Sequence, residues 1–176
     1  MKNAKFYFLA TLAMLLGSVV SVWAEPDPNF HIYLCFGQSS MECHGNIENQ
    51  DKSVDSRFQV LCSYDNCGNR KKGSWYDATP PLSCCSGAHL GPVDYFGRTL
   101  VKKLPEHIKV GVSVVAIAGC DIQLFEKENY KNYRAESYMQ GTIQSYGGNQ
   151  FLTSFNDTIF RINGDYISGF WTQCNH

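Results

Sequence analysis

The chain has 176 residues, with 15 lysines and arginines against 16 aspartates and glutamates, so its formal net charge is −1. A hydrophobic fraction of 44% and an aromatic fraction of 14% exclude a disordered or collagen-like polypeptide. The balanced charge excludes the basic footprint of a nucleic-acid binder or of a protein held on an anionic membrane surface.

The amino-terminal segment reads as an address. Lys2 and Lys5 precede an apolar run from Phe6 to Val20, and Val22-Trp23-Ala24 then supplies an A-x-A-like end. This is the pattern of a secretory signal, cut before Glu25. A retained anchor is the competing reading, because the stretch from Phe6 to Ala24 carries no charge and nearly reaches the roughly 20 residues that span a bilayer. Residues 1–24 are therefore expected to be removed, leaving 25–176 as a secreted or periplasmic protein with no membrane contact.

Glu25-Pro26-Asp27-Pro28 is a turn-rich entry. His31 to Phe36 is then an apolar run without alternation, as expected for a strand covered on both faces. Phe58 to Cys62 is a second strand. Asn66 to Pro81, rich in Gly, Lys, Asp and Pro, reads as a long surface loop. Pro92 opens a helix whose apolar face is Val93, Phe96, Leu100, Val101 and Leu104, and Pro105 ends it. The β-branched run from Ile108 to Ile117 is a further strand, stopped at Gly119. Tyr133 to Tyr146 reads as a helix closed by Gly147-Gly148, and Ile167 to Trp171 as a last strand. The order strand, helix, strand, with uniformly apolar strands, predicts parallel pairing in a sheet covered by helices.

All eight cysteines lie after residue 24, and export permits disulfides. Cys62 with Cys67, or either of them with Cys84 or Cys85, can bridge a loop. Zinc is disfavoured, because the Cys62-x4-Cys67 spacing has no matching second pair. No metal and no organic cofactor is expected. Asn156-Asp-Thr158 is a glycosylation sequon in a eukaryotic secretory host.

Chemistry in open α/β sheets gathers at the carboxyl ends of the strands. The first strand ends in Gly37-Gln38-Ser39-Ser40-Met41-Glu42, where a glycine turn sets Ser39 at the start of a helical turn. Free backbone N–H groups there favour a developing oxyanion. A serine in that place also serves as an ordinary helix cap. The strand ending at Ala118 presents Gly119, whose N–H can approach a ligand beside Ser39.

These residues resemble a known family. His31-Ile-Tyr-Leu-Cys-Phe-Gly-Gln-Ser-Ser-Met-Glu42 is similar to the nucleophile block of the acetylxylan esterases of carbohydrate esterase family 6. These belong with sialate O-acetylesterase-like proteins among the SGNH hydrolases. The similarity runs on through Arg70-Lys-Lys-Gly-Ser-Trp-Tyr76, Pro80-Pro-Leu82, Asp94-Tyr-Phe-Gly-Arg-Thr-Leu100, Leu104 to Val112, Gly119-Cys120 and Leu124-Phe125 to Tyr146-Gly-Gly-Asn149. It implies a flavodoxin-like three-layer α/β/α sandwich with a mainly parallel sheet, of which 25–176 is the amino-terminal portion.

By the same resemblance the protein hydrolyses acetyl esters on xylan or a related polysaccharide. Ser39 is the nucleophile, the N–H groups of Ser39 and Gly119 form the oxyanion hole, and Gln38 and Ser40 support the turn. Trp75, Tyr76 and Tyr95 are candidate platforms for sugar rings. Two departures stand out. Ser40 replaces the family's asparagine, and Gln173-Cys-Asn-His176 stands where the family continues toward a late Asp-x-x-His segment.

No histidine in the chain matches the catalytic one. His31 precedes the first strand, His44 lies very near Ser39 in sequence, His176 is terminal, and His89 and His107 flank the Pro92 helix and are expected at the far end of the sheet. The esterase is therefore expected to be weak or inactive. A non-catalytic carbohydrate-binding remnant of the same fold is the alternative. A third reading is an oligomer in which another chain supplies the base.

Overall fold

The computed structural model describes residues 27–42, 44–64, 67–83, 87–126, 129, 132–134, 137–146 and 169–172. The expected signal at 1–24, Gly147 to Asn149, the sequon at Asn156 and the last four residues lie outside them. Among the described residues no helix is long and apolar enough to cross a membrane.

Five strands form one sheet: β1 (Phe30–Gly37), β2 (Phe58–Leu61), β3 (Trp75–Asp77), β4 (Lys109–Ala116) and β5 (Gly169–Thr172), in the spatial order β3-β2-β4-β1-β5. Among the described residues three α-helices accompany them: α1 (Ser39–Glu42), α2 (Pro92–Lys103) and α3 (Ser137–Tyr146). The strands β2, β4, β1 and β5 are mutually parallel, with Gly37 of β1 level with Ala116 of β4 and Thr172 of β5. Parallel pairing thus holds for the apolar runs. The loop expected over 66–81 is corrected in part, since it contains β3, which pairs antiparallel with β2 through Tyr76 and Val60. Three residues on a sheet edge carry too little periodicity to stand out from Gly- and Lys-rich neighbours.

β4 shows why the sheet needs helices on both faces. Val110, Val112, Val114 and Ala116 point into one core with Phe58, Val60, Met41 and the α2 residues Val93 and Val101. Val115 and Ile117 point into a second core with Leu34, Leu124, Phe125 and the α3 residues Met139 and Tyr146. Alternate side chains of one strand leave opposite faces, so a strand apolar throughout must be sandwiched. The molecule is a three-layer α/β/α fold with a mainly parallel sheet.

α2 begins where the sequence places it. Pro92 needs no N–H partner in the first turn, and Asp94 Oδ2 accepts from the Gly91 N–H at 2.9 Å. The helix closes with Leu104 N–H donating to the Leu100 carbonyl at 2.8 Å, ahead of Pro105. α3 is shorter than expected at its start. Tyr133 and Arg134 lie before it, because the Tyr133 hydroxyl is taken by the Asp121 N–H at 3.2 Å.

The chain runs from β1 through α2 to β4 on one side of β1, and then through α3 to β5 on the other. The order of the sheet therefore reverses at β1, and the carboxyl end of β1 is the switch point where α/β sheets bind ligands.

Cys35, Cys62 and Cys120 are buried free thiols, while Cys67 is disulfide-bonded. A Cys62–Cys67 bridge is thereby overturned. The partner of Cys67 lies outside the described residues, as do Cys84 and Cys85. Burial pushes the thiols of Cys35 and Cys120 up to about 12, so neither is a nucleophile at neutral pH.

Candidate functional site

β1 stops at Gly37 because the chain turns there into α1. The Gln38 carbonyl accepts from the Met41 and Glu42 N–H groups at 2.8 and 3.3 Å, and Met41, fully buried against Val93 and its neighbours, pins the short helix to the core. Ser39 is thereby held half-buried at the end of β1.

The neighbouring strand brings the second group. The Ile117 N–H donates to the Gly37 carbonyl at 3.1 Å, and the Cys120 thiol approaches the same carbonyl at 3.7 Å. Gly119 follows at φ +75°, in the left-handed region that favours glycine. A Cβ at Gly119 would lie 2.2 Å from the Tyr138 hydroxyl and 3.1 Å from Met139 Cε. Conformation and crowding both demand glycine here. Its N–H meets no acceptor among the described residues.

Glu42 joins the two loops, and the sequence reading assigned it no role. Its Oε1 accepts from the Ala118 N–H at 2.7 Å, fastening α1 to the segment that carries Gly119. Its only advance signal was its place in the Gly37-to-Glu42 block. Glu42→Ala leaves the Ala118 N–H without its acceptor, and the expected loss is about 1–3 kcal/mol. Glu42→Gln, which keeps an acceptor, should recover most of it. Chemical denaturation of the three proteins measures this, and equal midpoints would remove the bond from the account.

Ser39 itself is engaged locally. Its hydroxyl donates to Gln38 Oε1 at 2.7 Å and its backbone N–H donates to the same oxygen at 3.1 Å. The Gln38 side-chain oxygen thereby occupies the N–H that was expected in the oxyanion hole. The amide must swing away before that N–H can serve. Ser40 is half-buried, and its hydroxyl makes no hydrogen bond to any described residue.

The histidines separate by sheet edge. His31 sits near the amino end of β1, level with Val110. His107 precedes β4, also at that end. The expectation for His89 is corrected. Gly45, three residues after α1, forms a bridge with Leu90, their N–H and carbonyl groups exchanging bonds of 3.0 and 2.8 Å. His89 therefore lies in the loop entering α2, at the nucleophile edge. α2 delivers the chain to β4 at the amino edge of the sheet, so its start, with His89 before it, lies at the carboxyl edge, which the reading by flanking helix overlooked. His44 lies at the same edge, and both are exposed. His176 is outside the described residues.

The aromatics expected as sugar platforms are tied into the fold, with the Tyr95 ring still exposed. Trp75 packs edge to face on Phe30, the first residue of β1, with ring centroids 4.8 Å apart. The Tyr76 hydroxyl accepts from the Lys71 N–H, and the Tyr95 hydroxyl donates to Asp51. Aromatic rings of another kind stand beside Gly119. A cleft of about 530 Å³ is lined by Gly119, Gln123, Asn132, Tyr133, Arg134 and Tyr138, with Asp121, Asn129 and Met139. Among the described residues no three His, Cys, Asp or Glu side chains are grouped to hold a metal.

A family model described as carbohydrate esterase, sialic acid-specific acetylesterase, matches residues 29–145. Among solved structures, a protein from Arabidopsis thaliana is similar at 17% identity with a TM-score of 0.48, the match covering 82% of this chain and 57% of that one. The chain thus spans little more than half the length of that relative.

Proposed function

The chain belongs to the sialic acid-specific acetylesterase family of carbohydrate esterases, and from that premise we propose that it acts on acetyl esters of a polysaccharide such as xylan, outside the cytoplasm. One observation carries the reading: Ser39 and Gly119 emerge from adjacent parallel strands at the switch point, and Gly119 opens onto a cleft with amide and phenol groups suited to hydroxylated rings. The Cys67 disulfide suits an oxidising compartment, and the signal-like residues 1–24 supply the route.

In this reaction the Ser39 Oγ attacks the acetyl carbonyl carbon, and the C=O electron pair moves onto oxygen. The Gly119 N–H receives that oxyanion, joined by the Ser39 N–H once Gln38 turns aside. Collapse of the intermediate releases the sugar hydroxyl, which takes up the proton lost by serine. Water then frees acetate from the acyl-enzyme. Serine needs a base to be a good nucleophile, and the Gln38 amide that now accepts its proton is none. No described histidine is hydrogen-bonded to Ser39. A triad lacking one member retains roughly 10³–10⁴ over the uncatalysed rate, and this chain is expected near that level of activity.

Purified protein should therefore hydrolyse p-nitrophenyl acetate slowly, and Ser39→Ala should abolish that activity. Equal rates would overturn the reading. His44→Asn and His89→Asn test the two imidazoles at the nucleophile edge. If either supplies the base, its loss lowers kcat about 10²-fold or more. The second reading, a carbohydrate-binding remnant without turnover, draws on the capture of the Ser39 hydroxyl by Gln38. Acetylated xylan retained on the protein without acetate release would favour it. Export is checked by the amino terminus of the secreted protein, expected at Glu25.

A further inference from the structure

Tyr138 is 64% exposed, more than any other large hydrophobic or aromatic residue described, yet its ring is not loosely placed. It stands in the first turn of α3 beside Met139, which is buried in the second core. That anchor sets the rotation of the helix and places Tyr138 in the wall of the cleft. There the hydroxyl lies so close over Gly119 that any Cβ would collide with it. It has no hydrogen-bond partner among the described residues. The Gly119 N–H likewise meets no acceptor among the described residues.

Two donors that meet no acceptor among the described residues, the Gly119 N–H and the Tyr138 O–H, thus belong to residues packed against each other in the cleft wall. A packing role does not explain so exposed a ring, and stacking on a sugar would use its face rather than require its hydroxyl over a glycine. We infer that the Tyr138 hydroxyl is a catalytic donor that, with the Gly119 N–H, holds the oxyanion formed when Ser39 attacks an acetyl ester. The inference rests on the esterase reading. It also accounts for the demand for glycine at 119, since the phenol can approach only where no side chain intervenes.

The step balances without any further reagent. Carbonyl oxygen gains the electron pair as the serine C–O bond forms, the O–H of Tyr138 stays bonded to its own oxygen throughout, and the pair returns as the sugar C–O bond breaks, the leaving sugar oxygen taking up the proton lost by Ser39. A fixed donor of this kind is worth about 10²–10³ in turnover. Its contribution belongs to kcat, because the charge exists only in the transition state.

Tyr138→Phe keeps the ring and deletes the donor. On p-nitrophenyl acetate it should lower kcat about 100-fold, with KM changed by less than about twofold and the melting temperature unaltered. A boronic acid forms a tetrahedral anionic adduct on serine, so phenylboronic acid gives a readout that does not depend on turnover. Its affinity should fall by a similar factor in Tyr138→Phe and vanish in Ser39→Ala. Unchanged kcat and unchanged boronate affinity in Tyr138→Phe, with Ser39→Ala inactive, would overturn the role of Tyr138 alone. A rise in KM at constant kcat would make Tyr138 a sugar contact and overturn it equally. Activity and boronate binding surviving in Ser39→Ala would instead overturn the esterase reading, and the donor with it.

Discussion

Gly97→Leu is expected to destabilise the protein by about 3 kcal/mol or more and to lower its melting temperature by about 10 °C. Gly97 lies in α2 directly over Phe58 of β2. A Cβ there would stand 2.0 Å from Phe58 Cε2 and 2.1 Å from Cζ, and Phe58 is fully buried. Neither partner has room to yield, since Val110 is level with Phe58 in the neighbouring strand and Val93 and Val101 close the core from above. The total stability of such a domain is only about 5–15 kcal/mol, so the loss is a large share. Phe58→Ala alone should cost about 3–5 kcal/mol by leaving a cavity. The double variant, in which the introduced leucine fills the space that Phe58 vacates, should be more stable than the sum of the two losses predicts. Thermal melts of the four proteins complete the cycle. Gly97→Leu melting with the wild type would show that α2 does not sit on β2 this closely.

Asp94→Asn is expected to stabilise the protein at neutral pH and to leave it unchanged in acid. Asp94 is fully buried. Its Oδ2 accepts from the Gly91 N–H, while its Oδ1 has no partner. Desolvation raises the carboxyl to about 6, against the Gly91 hydrogen bond and the charge of Arg98, which lower it, and the charge of Asp51, which adds to the rise. Arg70 also faces the carboxylate from the loop below. A carboxyl whose folded value is raised binds its proton more tightly when folded. Its contribution is therefore fully present below about pH 4 and is lost as the pH rises through about 6. The rise from 3.8 to about 6 corresponds to about 3 kcal/mol. Asparagine keeps an acceptor for Gly91 and carries no charge to bury. Wild type and variant should denature at the same urea concentration near pH 4, and the variant should gain up to about 3 kcal/mol by pH 7. Parallel curves across that range would deny that the carboxyl ionises inside the fold.

Most of the scaffold was legible in the chain. The apolar runs at His31–Phe36 and Ile108–Ile117, the proline-bounded helix after Gly91 and the short run at Phe58 each appear as elements within a few residues of the expected ends. The flanking edge strand β3 was not, because three residues alternate too briefly to be told from a loop. The motif around Ser39 placed that serine at the end of the first strand, where the structure has it. What it left out is the use that Gln38 makes of the Ser39 N–H and hydroxyl, a matter of side-chain geometry that residue types do not specify.

The same division runs through the site. Turn glycines, proline starts and the alternation of strands act over a few residues, so composition and spacing were enough to establish an α/β chain with a serine at the end of its first strand. Glu42 and Ala118 meet across 76 residues. Tyr138 reaches over Gly119, and His89 comes round to the nucleophile edge through the Gly45–Leu90 bridge. Such contacts depend on which strands become neighbours and on which face each helix packs. Those choices are settled by burying two apolar cores at once, and no local pattern in the chain encodes them singly.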